Sequence, residues 1–212
     1  MDQIIERFEA LENRDLMLCL SRGVAYQKDM THRVPYDAAY FNKCAAYEDQ
    51  TIARALNAGR IAMVDRHVGQ DTLVLDIGIG SGEFIKKRPR TKGFDINPVA
   101  VRWLRKHQLF SAELSGFWAF TFWDVLEHVE EPEIYFRRMV PGSWVFVSLP
   151  IFYDLTRIRE SKHYRPGEHL YYWTESGFVK WMHDHDFDLV ERSDYETLAG
   201  RDSIISFAFH RC

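Results

Sequence analysis

The chain has 212 residues and a formal net charge of −4, and its length fits one elaborated domain. Hydrophobic residues make up 46% and charged residues 27% of the chain, which provides enough apolar material for a core and argues against a disordered protein. The mild acidity argues against a chain that coats nucleic-acid phosphates with basic charge, so nucleic acid is not the favoured partner.

Cysteine usage and the first residues bear on the cellular compartment. Cys19, Cys44 and Cys212 form neither a close pair nor a metal-binding spacing, and an odd number suits free thiols in a reducing compartment. The opening residues carry acidic charge where a secretory signal needs a positive start, and no apolar run approaches the length of a membrane span. We therefore expect a cytoplasmic protein that does not span a membrane.

Residues 1–68 are predicted to be helical and to form a substrate-facing lid. Ile4, Phe8 and Leu11 repeat at helical spacing, and Asp37 is a candidate N-cap for the helical segment that follows it. We recognise no strand signal in this part of the chain.

From Thr72 the pattern changes to that of an α/β fold. The run TLVLDIGIGSG is short, apolar and β-branched before its glycines, which is typical of a buried parallel strand that enters a tight turn. Alternating strands and helices predict a mostly parallel sheet covered on both faces. The last two strands are expected to be antiparallel, because only about a dozen residues join them. Strands are predicted over 92–94, 117–123, 144–149, 186–191 and 203–210, helices over 98–107, 132–139 and 175–185, and a single domain with its core over 69–212.

The densest charge run is KKRPRTK, from Lys86 to Lys92, in which five of seven residues are basic. Two interpretations are open: a solvated loop at the sheet edge, which we favour, and a contact with phosphate or nucleic acid. Only the second interpretation would connect this run with a ligand.

A glycine-rich loop directly follows the first predicted strand of the core. Gly78, Gly80 and Gly82 stand at alternate positions, so the backbone can turn sharply and approach a ligand without interference from Cβ atoms. Asp95 follows Asp76 by nineteen residues, at the end of the second strand, where a carboxylate can accept both hydroxyls of a ribose. The G-x-G-x-G order differs from the G-x-G-x-x-G of dinucleotide enzymes and disfavours an NAD-dependent oxidoreductase. The anion of Asp76 suits an amino group better than a pyrophosphate.

Five stretches occur in a recognisable order: VLDIGIGSGEF, GFDIN, TFWDVLEHVEEP, VPGSWVFVSLP and EHLYYWTESGFVKWM. Together they resemble the class I S-adenosylmethionine-dependent methyltransferases, and the resemblance covers roughly residues 68–210. It implies a Rossmann-like fold with a mostly parallel, seven-strand-type sheet, an antiparallel last strand and a site for S-adenosylmethionine.

The resemblance also implies which residues contact the cofactor. The three loop glycines would line its methionine end, Asp76 would lie near the amino group, Asp95 would hold the ribose and Ile96 would lie against the adenine. The residues expected to close the site are Phe122, Trp123 and Asp124.

The sequence departs from this family pattern in two places. The segment between Gly82 and Gly93 is short, which leaves little room for the usual first helix. Residues 109–116 lack a clear third strand with its adenine-contacting acidic residue.

A group of acidic and histidine residues follows the fourth predicted strand of the core. Asp124, Glu127 and His128 are spaced by three and four residues, which places them on one face of a helix or turn, and His169 can join them from a later loop. Carboxylate and imidazole ligands of this kind suit Mg²⁺ or Mn²⁺. The order is similar to that of two metal-dependent groups, the ubiquinone-biosynthesis O-methyltransferases and the small-RNA 2′-O-methyltransferases.

A second interpretation of the same residues needs no metal. Asp-x-x-Glu is also a capping box, in which Asp124 and Glu127 satisfy helix N-terminal N–H groups. In that case His128 or His169 is the expected general base, since an ordinary histidine pKa suits deprotonation of a hydroxyl near neutral pH. Both interpretations place Glu127, His128 and His169 among the candidate catalytic residues.

The acceptor can be narrowed by the motifs that are missing. No cysteine follows a proline, which disfavours methylation of cytosine C5, and the fourth strand is not followed by the Asp/Asn-Pro-Pro-aromatic pattern of exocyclic-amine enzymes. A hydroxyl, carboxyl or other small-molecule acceptor is therefore expected.

Two parts of the chain are expected to form the substrate walls. Basic and aromatic residues between 152 and 173 favour an acceptor that carries phosphate, carboxylate or sugar. We predict an O-methyltransferase for a small acceptor, with an RNA ribose 2′-O-methyltransferase or a non-catalytic cofactor-binding module as alternatives. The expected wall residues are His32, Tyr36, Tyr40 and Phe41 in the lid, and Arg157, Arg159, Lys162, His163, Tyr164 and Arg165 in the loop.

Overall fold

A computed structural model of the protein describes residues 15–31, 34–47 and 51–212. The helical repeat predicted at Ile4, Phe8 and Leu11 and the wall residue His32 lie outside these ranges. The strands are β1 (Leu16–Cys19), β2 (Val24–Gln27), β3 (Val74–Ile77), β4 (Thr91–Phe94), β5 (Ala119–Trp123), β6 (Trp144–Pro150), β7 (Tyr171–Trp173), β8 (Phe187–Ser193) and β9 (Ile204–Arg211). The α-helices are α1 (Ala38–Tyr47), α2 (Thr51–Val68), α3 (Glu83–Lys87), α4 (Pro98–Lys106), α5 (Glu133–Phe136), α6 (Glu175–His183) and α7 (Tyr195–Leu198).

A six-stranded sheet forms the centre of the core, in the order β4-β3-β5-β6-β9-β8. The first four strands in this order run parallel, and β9 is antiparallel to both of its neighbours. Phe122 and Phe207 pack into the core on one face, while Val74 and Phe146 pack against Met63 of α2 on the other. Because both faces are covered, β3 and β5 are buried along their whole length. The predicted α/β, Rossmann-like sheet with an antiparallel last strand is confirmed.

Residues 109–116 do not supply the seventh strand that this sheet type was expected to have. Within the described residues, their pairing with β4 is a single parallel bridge between Phe110 and Gly93. After this bridge the chain leaves the sheet edge, and the Ser111 hydroxyl donates a local hydrogen bond to the Glu113 carbonyl oxygen at 2.9 Å. The central sheet of the described residues therefore has six strands, and the departure from the family pattern that the sequence indicated at residues 109–116 is confirmed.

The sequence predicted helices throughout the amino-terminal part of the chain, and this prediction is wrong for residues 16–27, which contain two strands. β1 and β2 form a hairpin, and β2 pairs with β7 to make a separate three-stranded antiparallel sheet. The hairpin turns through Gly23, whose φ of +62° is a left-handed conformation that suits glycine. Each strand has four residues, too few for hydrophobic periodicity to separate a strand from a helix, and the pairing partner β7 is distant in sequence.

The predicted helix start at Asp37 is present. The Asp37 carboxylate accepts a hydrogen bond from the Tyr40 backbone N–H at 3.0 Å, in the first turn of α1. A second helix, α2, follows and packs on the sheet through Met63 and Val64.

The basic run at 86–92 is divided between surface and interior. Lys86 and Lys87 form surface ion pairs with Glu83, as expected for a solvated segment. Arg88 is buried instead, and its guanidinium donates to the Asp65 carboxylate at 2.9 Å and to the Gly69 carbonyl oxygen at 2.9 Å. Arg88 therefore ties the end of α2 to the core rather than contacting a phosphate.

None of the helices in the described ranges has the length and apolar character needed to cross a lipid bilayer.

The small sheet is attached to the core where its hairpin turn meets α6. The Thr174 backbone N–H donates to the Gly23 carbonyl oxygen at 2.8 Å, and the Thr174 hydroxyl caps α6 by accepting from the Gly177 N–H at 3.1 Å. A Cβ atom on Gly177 would lie 2.1 Å from the Gly23 carbonyl oxygen, so only glycine fits. The contact is between two backbones and cannot be relieved by a side-chain rotation.

We predict that Gly177→Ala lowers the free energy of unfolding by about 2 to 3 kcal/mol, because the added methyl group overpacks this backbone contact. Urea denaturation followed by circular dichroism measures the change. Ser176→Ala, at the exposed neighbouring position, is the matched control and should change stability by less than about 0.5 kcal/mol. Equal stability of the two variants would contradict the tight docking of the hairpin.

Candidate active site

A cavity of about 880 Å³ opens at the carboxyl ends of the parallel strands, where α/β sheets place their ligands. Its walls come from the glycine loop, the end of β4, the segment after β5, α1 and the loop before β7. The candidate cofactor, catalytic and metal residues of the sequence that line it are Asp76, Gly78, Gly80, Asp95, Ile96, Trp123, Asp124, Glu127, His128 and His169.

The three glycines of the loop have different surroundings. A Cβ atom on Gly78 would lie 2.5 Å from the Val125 side chain, and the φ of Gly78 is +75°. Gly80 also has a positive φ and no heavy atom within 4 Å of its Cβ position, so the loop is open to the cavity there. Gly82 does not line the cavity, because it starts α3 and lies against the Trp103 ring. The expectation that all three glycines face the cofactor is corrected for Gly82.

Asp95 fastens the glycine loop to the end of β4. Its carboxylate accepts one hydrogen bond from the Ile79 backbone N–H at 2.9 Å and another from the Asn97 N–H at 2.7 Å. Burial raises the pKa of Asp95, although these backbone N–H groups act in the opposite direction. Ile96 is 67% exposed and forms an apolar edge of the cavity beside this carboxylate.

Asp76 lies deeper in the cavity, at the end of β3. Its side chain is buried and accepts a hydrogen bond from the Thr121 hydroxyl at 2.6 Å. Burial raises the pKa of Asp76 to about 7, against the opposing effects of the Thr121 hydrogen bond and the Arg60 charge. A positive charge placed next to this buried carboxyl group would stabilise its ionised form.

The three residues expected to close the site point in different directions. Phe122 is fully buried in the core, with its ring centroid 5.5 Å from that of Tyr135, so it does not reach the cavity and that expectation is wrong. Successive strand residues point to opposite faces, and Trp123 therefore faces the cavity, under the guanidinium of Arg60. Asp124 also lines the cavity, but its carboxylate is occupied.

Asp124 belongs to a network of buried and partly buried charges. Arg201 donates to both of its oxygens at 2.9 Å, and Arg60 donates to one of them at 3.1 Å. Both arginines also pair with Glu196 of α7, which is buried. Burial alone would raise the pKa of Asp124, but the two guanidinium groups lower it well below its usual value. Nothing in the sequence pointed to these partners, because Arg60, Glu196 and Arg201 are far from Asp124 along the chain.

Glu127, His128 and His169 converge on the cavity, and one ligand atom from each lies within 4.8 Å of the others. Both carboxylate oxygens of Glu127 and the Nδ1 atom of His169 are buried and have no hydrogen-bond partner among the described residues. Burial, followed by the charge of Asp124, raises the pKa of Glu127 well above its usual value. Asp124 is not part of this cluster, so the expected four-residue metal group is reduced to three.

The capping-box interpretation of Asp124 and Glu127 is wrong. The turn after β5 is a short 3₁₀ helix over Leu126–His128, and no side chain caps its N-terminus. The Asp124 carboxylate is held by the two arginines instead, and that of Glu127 is directed into the cluster.

The two histidines of the cluster differ in their surroundings. His128 shares a 2.8 Å hydrogen bond between Nδ1 and the Glu168 carbonyl oxygen. Because a carbonyl only accepts, Nδ1 carries the proton and Nε2 carries the lone pair of the neutral ring. Burial, reinforced by the neighbouring His128 side chain, lowers the pKa of His169 to about 2, so its ring stays neutral. The two ring centroids are 4.7 Å apart at an interplanar angle of 90°.

The predicted substrate walls are formed in part. Tyr36 and Tyr40 line the cavity, with ring centroids 5.0 Å apart and ring planes 86° apart, but Phe41 packs beside Ile79 and Ile85 in a separate apolar cluster. Most of the basic loop faces outward. Arg157 and Lys162 form exposed ion pairs, Arg159 is exposed and Tyr164 packs on Tyr172, so of the loop residues predicted to form a wall only His163 and Arg165 line the cavity.

Comparison with family models decides the family. Residues 51–192 match the model of the methyltransferase domain, which is more than half of the chain. The chain belongs to this methyltransferase-domain family. No curated protein matches the sequence.

Solved structures with the same fold support this assignment. The 1,6-didemethyltoxoflavin N1-methyltransferase of Burkholderia thailandensis, with bound 1,6-didemethyltoxoflavin and S-adenosylhomocysteine, superposes with a TM-score of 0.59 at 16% identity, over 82% of this chain and 84% of that one. The magnesium protoporphyrin IX methyltransferase of Synechocystis, with bound S-adenosylhomocysteine, superposes with a TM-score of 0.61 at 16% identity, over 84% of this chain and 96% of that one. An N-methyltransferase from Bradyrhizobium japonicum, in complex with S-adenosylhomocysteine, superposes with a TM-score of 0.53 at 16% identity, over 78% of this chain and 90% of that one. By family and by fold, the chain is a class I, S-adenosylmethionine-dependent methyltransferase.

We predict that this methyltransferase binds S-adenosylhomocysteine more weakly as the pH falls below about 7, because protonation of Asp76 would remove the anion that we expect to face the ligand's ammonium group. The loss should approach about tenfold per pH unit, measured by calorimetry between pH 6 and pH 8. Asp76→Asn, which can still accept from Thr121, should bind weakly at every pH. A wild-type affinity that does not change with pH would contradict this role for Asp76.

The same group affects the stability of the ligand-free protein. The pKa of Asp76 is higher in the folded state than its ordinary value, so folding favours the protonated form. This contribution to stability is lost as the pH rises through about 7, and Asp76→Asn should remove that part of the pH dependence. Thermal unfolding of both proteins at pH 6 and pH 8 measures it.

Proposed function

We propose that this methyltransferase transfers the methyl group to a hydroxyl oxygen of a small acceptor that binds beside Glu127, His128 and His169. The observation that carries the proposal is the buried Glu127 carboxylate, which has no hydrogen-bond partner among the described residues and faces two imidazole rings across the cavity. Burying such groups without partners is costly, so their retention is typical of a site that completes itself with a ligand.

The residues at the other end of the cavity suit S-adenosylmethionine. Asp76 would face the amino group, Asp95 would accept the ribose hydroxyls with the lone pairs left by its two backbone hydrogen bonds, and Ile96 would cover an apolar ring. The open backbone at Gly80 allows a close approach. When bound, S-adenosylmethionine supplies an electrophilic methyl group on a sulfonium. The three solved structures named above, which share this fold, carry S-adenosylhomocysteine.

His128 is the proposed general base. The Glu168 carbonyl oxygen fixes the orientation and tautomer of the ring, so that Nε2 can take the acceptor's hydroxyl proton. The nearer carboxylate oxygen of Glu127 lies 3.9 Å from Nε2, close enough to stabilise the imidazolium that forms. His169 keeps a neutral ring beside it and serves as a hydrogen-bonding wall rather than as a base.

A divalent cation is the second candidate for activation of the acceptor. The three donor groups of the cluster offer one carboxylate and two imidazoles, and a cation would satisfy the buried oxygens of Glu127 and the Nδ1 atom of His169. The hydrogen bond from His128 Nδ1 to a carbonyl is the support that ligating histidines commonly have. Mg²⁺ or Mn²⁺ held by Glu127, His128 and His169 would lower the pKa of the acceptor hydroxyl.

The charge of the cavity limits the kinds of acceptor that it can bind. Eight carboxylate side chains line it against four basic ones, and Arg60, Arg201 and Arg165 are already paired with carboxylates. A phosphorylated acceptor or an RNA end would need a basic surface, so a neutral hydroxyl compound or an unphosphorylated sugar is better supported. The two tyrosine rings of the lid would pack against it.

We expect the purified protein to transfer labelled methyl groups to at least one neutral hydroxyl acceptor in a panel of phenols, sugars, phosphorylated sugars and RNA ends. His128→Gln should lower kcat by at least about 100-fold, the scale of general-base catalysis, while the affinity for S-adenosylhomocysteine changes by less than about twofold. His183→Gln, at an exposed histidine, is the control. Binding of S-adenosylhomocysteine without transfer to any acceptor would support the non-catalytic alternative instead.

Metal dependence is tested by removing divalent cations. If the cation takes part, exhaustive chelation should reduce activity to less than about one-tenth, and added Mn²⁺ should restore it, as expected for Lewis-acid activation. Glu127→Gln should weaken Mn²⁺ binding, measured by electron paramagnetic resonance. Activity that is unchanged by chelation would leave His128 as the base and exclude the cation.

A further inference from the structure

The β1–β2 hairpin reaches the cluster of Glu127, His128 and His169 through a short chain of hydrogen bonds. The side-chain amide of Gln27 donates to the Tyr172 hydroxyl at 2.7 Å, and that hydroxyl donates to the His169 carbonyl oxygen at 3.0 Å. The Gln27 backbone N–H donates to the Leu170 carbonyl oxygen at 2.9 Å. The last residue of the hairpin therefore holds the main chain at His169 and at the residue after it.

The same segment is tied on its other side to the turn that carries Glu127 and His128. The Leu170 N–H donates to the Glu127 carbonyl oxygen at 2.7 Å, and the His128 ring pairs with the Glu168 carbonyl oxygen at 2.8 Å. These bonds join the two segments that supply the cluster. His169 is consequently fixed between the turn after β5 on one side and the hairpin on the other.

Gln27 and Tyr172 are too far from the cavity to touch an acceptor. Neither residue lines the cavity, Tyr172 is fully buried and Gln27 is 4% exposed. The Tyr172 ring packs against Phe152 and Tyr164, with centroids 5.5 and 5.6 Å away, in a core made with the hairpin residues Leu16, Leu18 and Ala25. A buried hydroxyl with a donor on one side and an acceptor on the other has a single favourable orientation.

We propose that Gln27 and Tyr172 are positioning residues that keep the His169 ring in its place opposite His128. The catalytic consequence rests on the proposed function, whereas the placement of the ring does not. Because a displacement of about 1 Å in a reacting group can cost two orders of magnitude in rate, a hydrogen bond to the main chain behind the ring is enough to matter. Both hairpin strands precede residue 51, where the family match begins, so Gln27 supports His169 from outside the matched domain, whereas Tyr172 lies within it.

The test compares three variants. Tyr172→Phe removes the hydroxyl but leaves the buried Gln27 amide without its partner, so it can also lower stability. Gln27→Met combined with Tyr172→Phe replaces both polar groups by apolar groups of similar size, which should recover much of the lost Tm. Tyr171→Phe is the matched control, since Tyr171 is the neighbour on the same strand and donates to the Glu130 carbonyl oxygen at 2.8 Å.

The readouts are the His169 ring resonances of histidine-labelled protein at one fixed pH, the affinity for S-adenosylhomocysteine, and kcat with the acceptor found in the panel. We expect both Tyr172→Phe proteins to shift or broaden the His169 signals and to lower kcat about tenfold or more, while the affinity for S-adenosylhomocysteine stays within about twofold. Tyr171→Phe should leave the His169 signals in place. If Tyr172→Phe does not fold, the double variant decides.

A double variant with wild-type His169 signals and wild-type kcat would overturn the proposal, because the pair would then support only the fold. The proposed function fails in a different way, by the absence of transfer to any acceptor by the wild-type protein. In that event the His169 resonances still decide whether Gln27 and Tyr172 position the ring.

Discussion

The gathering of four buried or partly buried carboxylates along one edge of the sheet is the constraint on which the rest of this structure depends. Asp76, Asp95, Asp124 and Glu127 all lie where parallel strands end, and each must be compensated in a place that water reaches poorly. Asp76 accepts from a hydroxyl, Asp95 from two backbone N–H groups and Asp124 from two arginines. Only the Glu127 carboxylate, of these four, has no hydrogen-bond partner among the described residues. That difference sets Glu127 apart from the three carboxylates that other groups of the protein already stabilise.

The ion pairs that compensate the negative charge of Asp124 connect distant parts of the chain. Arg60 comes from α2 and Arg201 from the turn after α7, and both also hold Glu196. The network contains two cations and two anions, so it is neutral as a unit, and removing any one member would leave a net charge that the other members do not compensate. The helix α2 is thereby bound to the strand ends, and Arg60 and Arg201 are not available to an anionic acceptor.

Different elements support the two halves of the cavity, which we propose for the cofactor and for the acceptor. The glycine loop, Asp95 and Ile96 follow the first two core strands. The acceptor half depends on α1, on the turn after β5 and on the loop before β7, which the amino-terminal hairpin holds in place. The part of the cavity proposed for the acceptor is therefore built from additions to the central sheet.

The sequence by itself determined the sheet, its antiparallel last strand and the cofactor edge, because apolar β-branched runs and alternate glycines act through local backbone geometry. It also brought Glu127, His128 and His169 together as candidates. It misjudged the hairpin, the direction of Phe122 and the partners of Asp124. Tertiary structure decided these features, since four-residue strands need a partner 145 residues away and a buried carboxylate is paired by whichever cations the fold brings to it. Local patterns carry no record of such contacts.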